Sequence, residues 1–111
     1  MTLLHHVFFW LKNPGNPQDR ERLITGLSTL RAISGVRDMH IGVPASTEER
    51  GVVDASYDVS ELLTFENVED QERYQIDPVH QAFIREYGDL WQRVVVYDSI
   101  GSPLAPSGGC L

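Results

Sequence analysis

Two side chains capable of acid–base chemistry, Tyr74 and His80, flank a turn late in the chain. Asp77-Pro78 is a helix start, an N-cap residue followed by proline, which makes His80 the third helical residue. The positive end of the helix dipole disfavours imidazolium there, so His80 is predicted to be neutral at pH 7 and to accept a proton. Tyr74 would end the preceding helix and present its hydroxyl to the same cleft. The alternative is structural: His80 braces the helix start and Tyr74 is a core aromatic.

Two more polar residues, His5 and Glu61, fall on apolar faces of predicted strands. His5 would position a ligand, or would pack as an ordinary core histidine. If its strand is regular, Glu61 is a buried carboxylate that needs a partner, and His5 or His80 would serve. The alternative for Glu61 is a local bulge that turns its side chain to solvent.

The surroundings predicted for His80 are aromatic. Phe83, Tyr87 and Trp91 follow it at roughly helical spacing and would line an apolar, ligand-binding pocket. The sequence predicts no cofactor, because it has no Gly-x-Ser-x-Gly box, glycine-rich phosphate loop or dinucleotide fingerprint. It also predicts no metal, because the candidate ligands lie on separate elements without the spacing of a ligand pair: His5, His40, Glu61 and His80.

The length, net charge and cysteine content of the chain exclude several classes of protein. The chain has 111 residues, the length of one domain, and a net charge of −7. That charge argues against a nucleic-acid partner and against an anionic membrane surface. The single cysteine, Cys110, excludes an internal disulfide. No export signal is recognisable at the N-terminus, which predicts a cytoplasmic protein.

The element that must position these groups is the first strand, predicted from Leu3 to Lys12. Side chains alternate across a strand, so one face carries His5, Val7, Phe9 and Leu11 and the other Leu4, His6, Phe8 and Trp10. Both faces are apolar, which predicts a strand in the middle of its sheet with both faces covered. The predicted helices suffice for one face only. A second copy of the sheet would cover the other, so we expect a homodimer through His6, Phe8 and Trp10.

The remaining signals give the order strand, helix, strand, strand, two helices, strand. Predicted strands are 3–12, 36–43, 57–65 and 92–100, and predicted helices are 17–33, 68–75 and 78–90. Gly26, inside the first helix, would allow close packing on the sheet. Two interleaved strand–helix–strand units give a four-stranded antiparallel sheet with helices on one face, the ferredoxin-like α+β fold. The domain would span 1–100, with a disordered tail at 101–111.

The chain resembles the stress-responsive A/B barrel family, also called the dimeric alpha–beta barrel family. The resemblance covers about residues 3–100 and is carried by the order and spacing of short segments: His5–Lys12, Ile33–Val36, Ser56–Val59, Thr64–Glu66, Tyr74–Phe83 and Val94–Asp98. It implies a homodimer whose two sheets close into a barrel. One plant branch of the family cyclises polyketides without a cofactor through a tyrosine and a histidine, which would correspond to Tyr74 and His80.

The resemblance also shows two departures from that branch. Gly26 stands where the branch has a large aromatic residue, and Glu61 stands where many members are apolar. The working hypothesis is a homodimer that binds an aromatic or polyketide-like molecule. In it His80 would be the base of a cyclase- or lyase-like proton transfer, Tyr74 the donor to a carbonyl, and His5 a positioning group. The alternatives are a non-enzymatic stress or binding protein and a cofactor-free monooxygenase of the same fold class.

Overall fold

The computed structural model of the protein describes residues 1–104, which form one antiparallel sheet with three α-helices. The strands are β1 (Leu3–Leu11), β2 (Asp38–Gly42), β3 (Val59–Phe65) and β4 (Trp91–Ile100), and the helices are α1 (Pro17–Ser28), α2 (Val68–Ile76) and α3 (Pro78–Tyr87). The strand order is β2-β3-β1-β4, with every neighbouring pair antiparallel. This confirms the predicted ferredoxin-like α+β fold.

β1 lies between β3 and β4, as its two apolar faces predicted. On its helix-covered face, four side chains are at most 5% exposed: His5, Val7, Phe9 and Leu11. On the opposite face His6, Phe8 and Trp10 are only partly buried. The core therefore lies between the helices and one side of the sheet, where it includes Leu23, Leu27, Leu30, Val59, Leu63 and Phe65.

Side-chain caps fix where each helix begins. Asn16, Asn67 and Asp77 each accept a hydrogen bond from a backbone N–H of the first turn, at no more than 2.9 Å. Such caps satisfy amide groups that would otherwise have no partner. The predicted helix starts are confirmed. They could be predicted because capping depends on residues that are adjacent in sequence.

The end of the first helix differs from the prediction. The α-helix stops at Ser28, and the remaining predicted residues form a 3-10 turn, Thr29–Ala32. The Ser28 hydroxyl donates to the carbonyl oxygen of Thr25 at 2.6 Å, and that of Thr29 donates to Gly26 at 2.7 Å. These side-chain bonds compete for helix carbonyls, so the last turn tightens.

Gly26 packs closely, but against a helix rather than the predicted sheet. A Cβ atom at Gly26 would lie 2.6 Å from Cδ2 of Tyr87 on α3. The missing side chain therefore lets the ring of Tyr87 lie directly on α1. This contact holds α3, and with it His80, against the rest of the helix layer.

Asp58, which no sequence pattern singled out, joins the end of β1 to the loop before α1. Its carboxylate is 5% exposed and accepts hydrogen bonds from the backbone N–H groups of Leu11 and Gly15, both at 2.9 Å. Arg20 lies 3.7 Å away on α1. Asp58 thus satisfies two backbone N–H groups of the loop that leaves the central strand.

Residues 105–111, which include Cys110 and most of the predicted tail, lie outside the described part of the chain.

Candidate functional site

A cavity of about 220 Å³ lies between the sheet and the helices. Its lining is apolar except for a few polar side chains, and consists of His5, Val7, Phe9, Leu30, Glu61, Tyr74, Gln75, His80, Phe83, Ile84, Trp91, Val94 and Val96. This volume is below the range of about 300–1,000 Å³ typical of sites for drug-sized ligands. The cavity therefore suits a small molecule. It brings together the predicted residues His5, Glu61, Tyr74, His80, Phe83 and Trp91.

His80 is the third residue of α3, as predicted, and Asp77 caps that helix. Its ring lies 4.7 Å from the ring of Tyr74, between centroids. Its Nδ1 atom is buried and has no hydrogen-bond partner in the part of the chain that the structure describes. Burial lowers the pKa of His80, and the positive charge of His5 lowers it further. A hydrogen bond to the backbone of Gln75 and the negative charge of Asp77 act in the opposite direction, but the net pKa is lowered. His80 is therefore a neutral base with a free nitrogen at pH 7.

Tyr74, near the end of α2, is 1% exposed and is surrounded by the rings of His5, Phe65 and His80. Its ring packs edge to face with Phe65 at 5.2 Å and with His5 at 5.8 Å. Burial raises the pKa of Tyr74 above its ordinary value, and the charge of Glu61 raises it further. The hydroxyl therefore keeps its proton and acts as a hydrogen-bond donor.

His5 has a partner that the sequence reading did not identify. Its Nδ1 atom lies 2.5 Å from Oδ1 of Asp98, which stands directly opposite His5 on β4. A carboxylate only accepts, so Nδ1 of His5 carries the hydrogen of this bond. Of the two partners expected for Glu61, His5 is bound to Asp98 because of the register of β1 and β4, and His80 makes no hydrogen bond through Nδ1 within residues 1–104.

Glu61 lies in a regular strand rather than in a bulge, since β3 pairs without interruption with β1 and β2 around it. The solvent-facing alternative is therefore wrong: Glu61 is 1% exposed and lines the cavity. Its Oε2 atom has no hydrogen-bond partner among residues 1–104. Burial raises the pKa of Glu61 to about 8, so the side chain is mostly a neutral carboxylic acid at pH 7.

The predicted aromatic wall is only partly present. Phe83 and Trp91 line the cavity and stack on each other, with ring centroids 5.6 Å apart. The structure does not place Tyr87 among the lining residues. Its ring lies over Gly26 and contacts Phe83 from the other side. Helical spacing from His80 correctly predicted that Phe83 lines the cavity. One turn later on α3, however, Tyr87 is directed toward α1.

Three apolar residues at the exposed side of the cavity were not predicted from the sequence. Ile84 on α3 and Val94 and Val96 on the edge strand β4 line it, and each is 42–44% exposed. The alternation of β4 would have put Val94, Val96 and Asp98 on one face. Only the strand order shows that this face lies beside His5 and is left partly uncovered.

Two further observations bear on the class of site. No three His, Cys, Asp or Glu side chains of residues 1–104 form a group that would hold a metal ion. None of the helices described is long and apolar enough to cross a membrane. What the cavity contains is a neutral base, a protonated phenol, an oriented histidine and an unpaired carboxyl group in apolar surroundings.

Similar folds occur in several solved structures. A Dabb family protein with a ferredoxin-like fold from Mesorhizobium loti has a TM-score of 0.74 at 21% identity, covering 91% of this chain and 97% of that one. A hydroxynitrile lyase from Passiflora edulis has a TM-score of 0.75 at 19% identity, covering 95% and 97%. A dimeric ferredoxin-like protein of unknown function from Thermobifida fusca has a TM-score of 0.70 at 22% identity, covering 89% and 90%.

At these identities the solved structures establish the fold alone; three of the similar proteins are themselves dimeric. Comparison with curated proteins finds no match. The sequence model of one family matches residues 3–100, nearly the whole of the described chain. The chain belongs to the stress responsive A/B barrel domain family.

Proposed function

We propose that each subunit of a homodimer binds a small aromatic or polyketide-like carbonyl compound in this cavity and catalyses cofactor-free proton transfer on it. The observation that carries the proposal is the buried, unpartnered Nδ1 of His80 beside the ring of Tyr74 in a cavity large enough for a small ligand. A similarly folded relative is a hydroxynitrile lyase, so the fold is compatible with lyase chemistry.

The proposed step is removal of a proton from carbon next to a carbonyl group. Nδ1 of His80 takes the proton, and the electrons of the C–H bond move through the carbonyl carbon to its oxygen. The Tyr74 hydroxyl donates a hydrogen bond to that oxygen, where negative charge develops. His5, held by Asp98, positions the ligand. Return of the proton to the same or another atom gives enolisation, or supports ring closure or bond cleavage.

The test uses acetophenone as the probe. Its methyl protons exchange with deuterium in D₂O through the enolate or enol, so ¹H NMR measures the proposed step directly. Wild-type protein should accelerate the exchange, and His80→Ala should lower the rate by about 10²–10⁴-fold, the usual effect of losing a positioned acid–base group. Tyr74→Phe should slow the same step, and the double variant should be less than additive because both groups act on one transition state.

His40→Ala is the matched control, because His40 is an exposed histidine on β2, outside the cavity lining. It should exchange acetophenone at the wild-type rate. Equal rates in wild type and His80→Ala would contradict the proposed chemistry. Binding of acetophenone that depends on His80 but brings no exchange would instead favour the non-enzymatic binding protein.

A further inference from the structure

Glu61 is a polar group that neither the fold nor the proton transfer accounts for. It is 1% exposed and lines the cavity, and its Oε2 atom has no partner within residues 1–104. Leaving a buried polar atom unpaired normally costs about 1–3 kcal/mol, so such an atom in a cavity indicates a partner that the free chain lacks. A ligand in the cavity would supply that partner.

The groups around Glu61 determine its chemical form. Within residues 1–104, no lysine or arginine lines the cavity. The titratable groups that face it are Tyr74, His80 and His5, and His5 is already paired with Asp98. An ionised Glu61 would therefore lack a permanent cation, and burial keeps the side chain protonated at pH 7. A carboxylic acid held neutral in apolar surroundings is a strong hydrogen-bond donor.

We propose that Glu61 binds the ligand directly as a neutral acid, donating a hydrogen bond to a ketone or aldehyde oxygen, and that it selects uncharged carbonyl compounds over carboxylates. The inference rests on the proposed ligand-binding function of the cavity. Tyr74 lies close enough to Glu61 for their charges to interact, so the two hydroxyl groups would act on one oxygen. A carboxylate would have to leave water without meeting a cation and would adjoin an acidic side chain, which disfavours it.

The test compares three probes of similar size: acetophenone, ethylbenzene without the oxygen, and benzoate with a charge. Wild-type protein should bind acetophenone at least about tenfold more tightly than benzoate at pH 7. Glu61→Leu removes the donor at similar volume and should weaken acetophenone about tenfold while leaving ethylbenzene unchanged or bound more tightly. Glu66→Leu, at an exposed glutamate following the same strand, is the matched control and should change neither. Isothermal titration calorimetry measures all the affinities.

Dependence on pH separates a proton donor from a merely polar side chain. Glu61 ionises near its pKa of about 8, so acetophenone should bind wild-type protein about tenfold more weakly at pH 9 than at pH 7. Glu61→Gln keeps a neutral donor and should show no such loss. The raised pKa of Tyr74 and the lowered pKa of His80 keep both groups neutral over this interval.

The outcomes distinguish this inference from the proposed function. Equal affinity of wild type and Glu61→Leu for acetophenone, or benzoate binding as tightly as acetophenone, would overturn the role of Glu61 and leave proton transfer by His80 intact. If wild-type protein binds and exchanges no acetophenone, the proposed function fails and the inference fails with it. Gln and Leu at this position provide two independent readouts, so failure of one variant to fold does not remove the test.

Discussion

The two faces of the sheet differ in how far their apolar side chains are buried. On the helix-covered face, the side chains of β1 are at most 5% exposed, and the buried polar residues His5 and Glu61 border a cavity. On the other face, the ring of Phe8 packs against three rings of the sheet and its adjoining loop: His6 at 4.3 Å, Tyr57 at 5.0 Å and Tyr97 at 6.0 Å between centroids. Tyr97 is 66% exposed in the single chain.

The difference shows that residues 1–104 fully bury the apolar side chains on one face of β1 and leave those on the other face partly exposed. The helix-covered face can enclose polar chemistry because the helices keep water away. The open face, defined here by His6, Phe8, Trp10 and Tyr97, is not covered by any helix of residues 1–104. Arg93 lies 4.4 Å above the Trp10 ring as a partial cover. A contiguous apolar patch of this kind indicates a protein interface, and we propose that a second copy covers it.

Phe8→Asp should have the largest effect, because it places a charge at the centre of the open face. Wild-type protein should sediment as a dimer with an interface above about 1,200 Å². The variant should be monomeric and should melt at a lower temperature, since a buried unpaired charge costs several kcal/mol. Ile76→Asp, at a 76% exposed position on α2, is the control and should keep the dimer. If Phe8→Asp keeps both dimer mass and melting temperature, the open face is not the interface.

Glu61→Gln should show the cost of enclosing an acid on the covered face. The folded pKa of about 8 exceeds the ordinary 4.5, so the folded state holds the proton more tightly and stability falls as pH rises through that interval. The variant should be as stable as wild type near pH 4.5 and more stable by roughly 4 kcal/mol at pH 9, at about 1.4 kcal/mol per pKa unit.

Urea unfolding at fixed protein concentration across this pH range measures the difference. Glu66→Gln is the control, because Glu66 is exposed, and its stability should follow that of wild type. His80 is present in every variant, so its own lowered pKa, which removes stability as pH falls below about 6.5, cancels from the comparison. A difference between Glu61→Gln and wild type that does not grow with pH would show that the acid is not buried as described.

Gly26→Ala should have a smaller effect, confined to the helix layer. The added Cβ would meet the Tyr87 ring at 2.6 Å, and overpacking of this kind typically costs about 1–3 kcal/mol. Gly88→Ala is the control, since its Cβ would meet no atom closer than 3.9 Å. Thermal unfolding of both variants gives the comparison. Equal melting temperatures would mean that α1 and α3 are not held at this contact.

Local chemistry in the sequence determined much of the fold. The caps at Asn16, Asn67 and Asp77 and the alternation of β1 depend on neighbouring residues. The helix starts and the central place of β1 in the sheet could therefore be predicted. The same local signals place Tyr74 and His80 on either side of one turn. Capping and side-chain periodicity are properties of a few consecutive residues, which is why a single sequence contains them.

Only the tertiary structure decided how the site is completed. The register of β1 and β4 joins His5 to Asp98, residues 93 positions apart, and Oε2 of Glu61 has no partner in the described residues 1–104. The close contact of α1 and α3 at Gly26 takes Tyr87 out of the cavity wall. Both results depend on which strands and helices become neighbours and by how many residues they are offset. No short segment of sequence encodes that offset, because it is set by the packing of the whole domain.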